Sequence, residues 1–357
     1  MPKFHPLTVK EIRFETKDCV SLAFEIPEAL KADYSFVPGQ YLTLKKEING
    51  LSERRSYSIC SGLNDQELRV AVKKIDGGAF SGFIHEQLKA GDTLAVMTPM
   101  GRFLLPDSNG QQAHYVAFAA GSGITPILAM MKATLERDDT SFFTLFYGNR
   151  STDSIIFREV IEGLKNKYMT RLRVHHVLSR EKLGIPLFFG RIDAEKCRDF
   201  CSKLFDPASV DAYFLCGPEQ MIQEAKSVLL EEGVPTHRIH FELFGAPIVP
   251  SQEKQEEKKL LREQVESEVS VILDGDTFHF SLSSRGETIL EAALKAGADL
   301  PFSCKGGVCC TCRAKLLEGE AAMDLNYALE PAEVEAGFIL TCQAHPLSDH
   351  VVVDFDV

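Results

Sequence analysis

The sequence predicts a multidomain fold in which an antiparallel β-barrel, an α/β doubly wound parallel sheet and a small α+β domain follow one another along 357 residues. Three observations predict it. Short apolar runs separated by turn residues fill residues 1–108, the texture of a small barrel. Apolar strands alternate with helical stretches over 109–246, as they do where helices wrap a parallel sheet. A charged and amide-rich run at 247–267 then interrupts the chain, and a hairpin, a helix and a cluster of cysteines follow over 268–357.

In the first segment the strands are Val20–Ile26, Tyr41–Leu44 and Leu68–Val72, with turns at Pro38-Gly39 and Gly91-Asp92. The second segment reads Tyr115–Ala119 as strand, Ile127–Leu135 as helix, Phe142–Tyr147 as strand and Ile155–Leu164 as helix. Strands Arg173–Leu178 and Tyr213–Leu215 and a helix at Met221–Glu232 complete it. The run from Ser251 to Gln264 is nearly all charge and amide, so it reads as a solvated tether that keeps the last domain at high local concentration. Beyond it, Val269–Leu273 and Phe278–Leu282 form a hairpin turning at Asp274-Gly275, and Gly286–Gly297 reads as one helix.

Composition narrows the function. The chain is 45% hydrophobic and 25% charged, the proportions of ordinary soluble protein. Its net charge of −12 is uneven: residues 269–357 hold 14 Asp and Glu against 5 Lys and Arg. That argues against nucleic acid as a partner and fits docking on a more basic protein, although solubility alone would also account for it. The start, Met1 to Pro6, lacks a signal-peptide profile, and the most apolar stretch, Val116–Met131, is broken by Gly121, Ser122, Gly123, Thr125 and Pro126. Cys19, Cys60, Cys197, Cys201 and Cys216 are scattered among apolar neighbours, as reduced thiols are. A cytoplasmic protein with no membrane partner is expected.

Four thiols crowd into Cys304-Lys-Gly-Gly-Val-Cys-Cys-Thr-Cys312. Cys304, Cys309 and Cys312 are spaced C-x4-C-x2-C, and Cys342 follows after 29 residues, the plant-type ferredoxin arrangement for a [2Fe–2S] cluster. Gly306 and Gly307 supply the backbone freedom that a tight loop around sulfides needs. A zinc site, a thioredoxin-like C-x-x-C and a disulfide pair are the competing accounts; zinc usually shows paired knuckles, absent here, and the C-x-x-C lacks its strand-then-helix setting. Cys310 is the spare thiol.

Further motifs lie upstream. In Arg55-Ser56-Tyr57-Ser58, strand alternation puts Arg55 and Tyr57 on one face and Ser58 on the other. Arg suits a diphosphate, Tyr a flat ring and Ser a ring nitrogen, while a plain polar strand end is the alternative. Gly77-Gly78-Ala79-Phe80-Ser81-Gly82 runs into a helical stretch at Phe83–Leu88, and small residues there expose amides to phosphate. Gly121-Ser122-Gly123-Ile124-Thr125-Pro126 follows an apolar strand and opens a helix, where a doubly wound fold binds a nucleotide. It departs from G-x-G-x-x-G in ending on Pro126. Cys216-Gly217-Pro218 again follows an apolar strand; buried packing is its plain reading, a seat over a reacting ring its functional one. His175 and His176 would point to opposite faces of a strand, which argues against a shared metal.

In this order the motifs resemble the ferredoxin–NADP reductase superfamily, extended by a ferredoxin-like tail of β-grasp fold, and the resemblance covers the whole chain. It implies that Arg55, Tyr57 and Ser58 are the flavin-binding R-x-Y-S and that Gly78, Ala79, Phe80 and Ser81 hold the FAD diphosphate. It further implies that Gly121, Ser122, Gly123 and Thr125, with Cys216, Gly217 and Pro218, form the nicotinamide nucleotide site, and that Glu242 and Phe244 are the closing Glu-x-aromatic. In the plant enzymes that aromatic is Tyr and ends the chain; here it is Phe and a linker follows. The implied roles are Ser58 beside the reactive flavin nitrogen, Cys216 beside the nicotinamide and Glu242 in a polar relay. Ser179-Arg180, with Arg150, matches the pair that holds a 2′-phosphate, which places NADPH ahead of NADH; a solvated loop charge is the alternative.

Within the superfamily, the domain order, the cysteine loop, Met323–Glu330 and Leu340–Ala344 are similar to the reductase subunits of phenylacetyl-CoA ring 1,2-epoxidase complexes. This implies NADPH-driven electron transfer through FAD and a [2Fe–2S] cluster held by Cys304, Cys309, Cys312 and Cys342 to a di-iron oxygenase component. Reductases of steroid-ring or aromatic-ring oxygenases share the order. A zinc-stabilised module with no redox role is the reading from another class.

Overall fold

The computed structural model describes residues 3–107, 110–182, 184–244 and 263–357. It divides into two compact units, Phe4–Phe244 and a second that holds Gly245–Val357.

The first unit contains two sheets. Strands β1 (Phe4–Thr16), β2 (Cys19–Glu25), β3 (Tyr41–Ile48), β4 (Leu51–Ser58), β5 (Leu68–Lys73) and β6 (Thr93–Met97) pair in the order β4-β3-β6-β1-β2-β5. An antiparallel bridge between Ile59 and Val70, with the Cys60 amide donating to the Arg69 carbonyl at 2.9 Å, joins the two ends and closes the barrel. Closure requires the sheet to curl, and the register shifts of β1 at Val9/Glu11 and Phe14/Thr16 supply bulges for it. The barrel is filled by alternate residues such as Leu22, Phe24, Leu42, Leu44, Val70 and Val72, and Phe80 of helix α1 (Ala79–Glu86) packs with them.

The second sheet is wholly parallel. Strands β7 (His114–Ala120), β8 (Phe142–Asn149), β9 (Leu172–Leu178), β10 (Ala212–Gly217) and β11 (Ile239–Leu243) lie in the order β11-β10-β7-β8-β9. Helices α2 (Ile124–Arg137), α3 (Arg158–Lys167), α4 (Ala194–Lys203) and α5 (Glu219–Glu231) connect them. Because strands buried on both faces gain nothing from alternation, β7 and β10 read as continuous apolar runs. On one face Phe118, Phe146 and Phe200 stack, with centroids 5.0 and 4.3 Å apart in successive pairs. The order reverses between β7 and β10, and at that switch point the carboxyl ends of the strands leave a crevice.

In the second unit, β12 (Glu266–Leu273), β13 (Asp276–Ser283), β14 (Arg313–Glu318), β16 (Phe338–Leu340) and β18 (His350–Asp354) form a sheet ordered β13-β12-β18-β14-β16. Strands β15 (Ala321–Met323) and β17 (Ala344–Pro346) pair separately, and helices α6 (Ile289–Lys295) and α7 (Pro331–Glu335) complete the unit. A parallel β12–β18 pair at the centre with antiparallel neighbours, closed over α6 through Ile289, Leu290 and Ala293, is the β-grasp arrangement. The hairpin turn takes left-handed angles at Asp274 (φ 51°) and Gly275 (φ 81°), and both amides donate to the Asp356 carboxylate at 2.8 Å.

Several boundaries differ from the sequence reading, each for a local reason. The helix expected at Phe83–Leu88 begins at Ala79, because Gly78 serves as its N-cap and Ala79 to Ser81 form its first turn. The helix expected from Ile155 begins at Arg158, since Phe157 adopts φ 59° and leaves Ile155 and Ile156 as buried non-helical chain. The helix expected over Gly286–Gly297 is only Ile289–Lys295, capped by the Thr288 hydroxyl, which accepts from the Glu291 amide. Helix α4 escaped the sequence reading because only Cys197, Phe200 and Cys201 are buried on it; the Asp193 cap at its start was its one signal. Of the linker expected at 247–267, residues 247–262 lie outside the described residues, and Glu266 and Ser267 belong to β12. No helix among the described residues is long and apolar enough to cross a membrane.

Candidate functional site: a thiol cage and a two-sheet crevice

The four expected thiols converge. Cys304 lies within hydrogen-bond reach of Cys309 and Cys342, and Cys342 also of Cys312. Cys312 and Cys342 are buried, and Cys304 and Cys309 keep partial exposure. The Cys309 and Cys342 thiols beside Cys304, with the Gly306 and Val308 amides, hold it far below the usual thiol range. Its proximity pushes Cys309 and Cys342 far above that range. Four such thiols ionise together only around positive charge, which is the chemistry of a cysteine-ligated cluster. Among the described residues no group of three or more His, Cys, Asp or Glu is arranged to hold a single metal ion.

The loop that carries them is sharply turned and stitched in place. Lys305, Gly307 and Cys310 take φ of 51°, 74° and 52°. The left-handed turn thus falls on Lys305 and Gly307, and Gly306, expected to share it, is not among the positive-φ residues. The Gly306 amide instead points at the Cys304 sulfur, 3.3 Å away. A Cβ on Gly307 would sit 2.9 Å from the Leu325 carbonyl oxygen, so glycine is required there by approach as well as by angle. The Gln343 side-chain amide donates to the Lys305 carbonyl (2.8 Å), the Thr341 hydroxyl to the Cys312 carbonyl (3.0 Å) and the Tyr327 amide to the Gly307 carbonyl (3.0 Å). The Cys310 thiol turns away and donates to the Ala328 carbonyl at 3.2 Å.

In the first unit, β4 presents Arg55 exposed, Tyr57 partly buried and Ser58 buried. The Arg55 guanidinium pairs with Glu53 at 2.8 Å, and the Tyr57 ring lies 6.1 Å from Phe80. Gly78 ends a tight turn at α1, where the Ile75 amide donates to the Ser81 hydroxyl (3.1 Å). The Ser58 hydroxyl reaches across from the barrel to the parallel sheet and donates to Glu242 Oε2 at 3.1 Å. Glu242 stands beside Cys216 in the β10–β11 register. The Glu242 residue keeps some accessible surface, but its carboxyl end is enclosed, and burial pushes it up to about 8. The Cys216 thiol, fully buried, is likewise driven well above its ordinary range, with Glu242 adding to the effect. Phe244, just past β11, is 42% exposed.

The Gly121–Gly123 turn sits hard against β10. A Cβ on Gly123 would fall 2.0 Å from the Cys216 carbonyl oxygen, and one on Gly217 would meet Met221 and Ala120. Cys216 and Gly217 close the strand itself, and Pro218 caps α5. The Thr125 hydroxyl donates to the Ser122 carbonyl (3.0 Å), and the Tyr147 hydroxyl donates to Gly121 (3.0 Å). Tyr147 had no distinguishing signal, since it reads as one more apolar strand residue. At the far edge the Ser179 amide donates to Asn149 (2.9 Å) and the Arg180 amide to Arg150 (2.8 Å), so Ser179, Arg180 and Arg150 share one corner at the carboxyl ends of β8 and β9. Glu181 ties that corner together by accepting from the Thr152 amide (2.7 Å) and hydroxyl (2.8 Å). His175 and His176 face opposite sides: one stacks on Phe146 and Phe188, the other lies 3.5 Å from Glu162.

The raised carboxyl has a thermodynamic consequence. The folded chain keeps the Glu242 proton up to about 8, whereas the unfolded chain loses it near the ordinary 4.5. Between those values the folded state binds more protons, so this group lowers stability as pH rises through that window. Glu242→Gln is expected to remove that share of the decline, read as thermal midpoints of both proteins across the window.

Comparison with known proteins identifies the domains. Residues 6–104 match the oxidoreductase FAD-binding domain, 118–227 the oxidoreductase NAD-binding domain and 271–347 the 2Fe-2S iron-sulfur cluster binding domain. The chain is 44% identical over 357 residues to a subunit of the 1,2-phenylacetyl-CoA epoxidase of Escherichia coli strain K12, covering 100% of this chain and 99% of that one. It is 33% identical to the ferredoxin reductase component of 3-ketosteroid-9-alpha-monooxygenase of Rhodococcus rhodochrous, covering 98% and 96%. In fold it is similar to phthalate dioxygenase reductase (TM-score 0.57, 24% identity, 99% and 98% covered). These matches argue against the zinc-stabilised module. The chain therefore belongs to the family of that 1,2-phenylacetyl-CoA epoxidase subunit, oxidoreductases that join an FAD-binding, an NAD-binding and a 2Fe-2S domain.

Proposed function

We propose that this chain is the reductase of a phenylacetyl-CoA epoxidase, drawing electrons from NADPH and delivering them to a di-iron oxygenase component in the cytoplasm. Bound FAD and a [2Fe–2S] cluster would supply the exchange of a hydride pair for single electrons, which side chains alone do not perform. The observation that carries the reading is the presence, on one chain, of four converging thiols and of a barrel-to-sheet contact between Ser58 and Glu242 beside Cys216.

The chain's own residues have these roles. Arg55, Tyr57 and Ser58 hold the flavin along β4, with Gly78 to Ser81 at its diphosphate and Phe244 over its ring. Ser58, fixed by Glu242, presents its hydroxyl to the ring edge. Gly121, Ser122, Gly123 and Thr125 cradle the NADPH diphosphate, Gly217 and Pro218 shape its nicotinamide pocket, and Cys216 borders the reacting carbon. Arg150, Ser179 and Arg180 receive the 2′-phosphate. Cys304, Cys309, Cys312 and Cys342 ligate the cluster. The corresponding domains are 1–108, 109–246 and 268–357, with 247–267 as tether.

Identity over the whole chain favours the epoxidase partner over a steroid-ring oxygenase, 44% against 33%. The test supplies purified protein and NADPH to each oxygenase. Epoxidation of phenylacetyl-CoA at a rate at least about tenfold above steroid hydroxylation is expected, a margin of about 1.4 kcal/mol in transition-state free energy; the reverse order would overturn the partner.

A further inference from the structure

The coenzyme and the flavin are assigned to different sheets: Gly121–Thr125, Arg150, Ser179 and Arg180 lie on the parallel sheet and its connections, and Arg55, Tyr57 and Ser58 lie on β4 of the barrel. What relates donor to acceptor is therefore the seam where the two meet. Much of that seam is apolar: Cys19, Cys60 and Ala71 of the barrel share one core with Ile124, Ile127 and Met131 of α2. Apolar packing is non-directional, so on its own it defines no single register of the helix on the barrel. Polar bonds supply the register, and one of them is an ion pair in an unusual place. Lys132 of α2, its side chain only 12% exposed, puts its ammonium 2.5 Å from Asp65 Oδ2, in the turn that precedes β5. The next turn of α2 repeats the contact, with the Asn64 side-chain amide donating to Glu136 Oε2 at 3.0 Å.

The pair is built into its own loop as well as across the seam. The same Asp65 oxygen accepts from the Gly62 amide at 2.8 Å, so the carboxylate closes its turn while it holds the lysine. The Lys132 stem lies against Gly62, where a Cβ would fall 3.0 Å from its Cδ. Charges this enclosed are rarely left without a partner, and removing one of the two strands the other. Along α2, Lys132 stands about 10 Å from Thr125 at 1.5 Å per residue, and Gly121–Thr125 is the turn assigned to the coenzyme diphosphate. We propose that Asp65 and Lys132 are positioning residues for hydride transfer, their ion pair fixing how α2 lies on the barrel and hence how the coenzyme approaches the flavin ring. That step moves a hydride, two electrons with one proton, from NADPH, which leaves as NADP+, to the oxidised flavin. A displacement of roughly 1 Å in such a step costs about a hundredfold in rate. The inference rests on the reading that β4 carries the flavin and the Gly121 turn the coenzyme.

Every group assigned to the coenzyme lies on the same side of the seam, so loosening the pair is expected to slow the step without weakening binding. Asp65→Asn removes the charge and keeps an acceptor for the Gly62 amide; Lys132→Met removes the charge and keeps the stem. The full, flavin-loaded chain is mixed with saturating NADPH in stopped flow, and each variant is expected to lower the limiting rate of flavin bleaching about tenfold. The double variant is expected to fall no more than about twofold further, because the two residues act as one unit. Lys132→Arg, which keeps the charge, is expected to stay within about threefold of the unaltered chain. The Kd for NADP+ on the oxidised protein, read by calorimetry, and the flavin content are expected to stay within about twofold in every variant. An unchanged rate in both single variants, a rise in Kd that matches the fall in rate, a loss of flavin, or independent losses that multiply in the double variant overturns the proposal. An unaltered chain whose flavin NADPH does not bleach overturns the flavin and coenzyme reading itself.

Discussion

Purified Cys342→Ser protein is expected to lose its iron–sulfur absorbance and nearly all of its iron and acid-labile sulfide, while NADPH still bleaches its flavin band. Cys342, far along the sequence from the other three, closes the set of converging thiols against Cys304 and Cys312. A serine hydroxyl in its place neither ionises readily nor binds iron as a soft thiolate does. Because structural metal binding supplies on the order of 10 kcal/mol of folding free energy in small domains, the second unit is also expected to unfold at lower denaturant. The first unit, Phe4–Phe244, is compact by itself, so its flavin chemistry survives. Cys310→Ser is the control: its thiol donates to the Ala328 carbonyl, and iron content should match the unaltered protein. Full iron in Cys342→Ser would remove Cys342 from the ligand set.

The second large effect concerns the coenzyme. Ser179→Ala combined with Arg180→Ala is expected to raise the KM for NADPH and leave that for NADH nearly unchanged. Charge-assisted bonds to a phosphate contribute about 1.5–3 kcal/mol each, so the ratio of kcat/KM for NADPH over NADH should fall by at least about a hundredfold when about two are lost. The corner is preorganised by the Arg180-to-Arg150 backbone bond and by Glu181 on Thr152, neither of which the substitutions remove. An unchanged ratio would take the 2′-phosphate away from this corner.

Much of this was legible in the sequence because the informative residues are constrained by backbone geometry. The cysteine spacing, the strand-then-glycine turn at Gly121 and the Asp274-Gly275 hairpin each need a particular residue type at a particular angle, and the chain has it. Other parts were hidden because their signal exists only across the fold. Ser58 and Glu242 are 184 residues apart, and only resemblance named both; their contact at 3.1 Å depends on how the barrel meets the parallel sheet. Tyr147 and Gln343 act through a hydroxyl and an amide on distant carbonyls, with nothing local to mark them. Helix α4 was missed because its buried face is small. Of the two glycines expected to supply the loop's free backbone, Gly307 does and Gly306 does not, Lys305 taking the other left-handed angle, because glycine is the usual bearer of such angles and lysine an infrequent one.

The most direct test of the account is an anaerobic titration of the full chain with NADPH, with the flavin and iron–sulfur bands followed separately in one cuvette. The account predicts that both bands bleach, that the cluster band follows only when flavin is bound, and that the total uptake equals that of one flavin and one two-iron cluster. A protein whose flavin bleaches while its cluster band stays unchanged would contradict it.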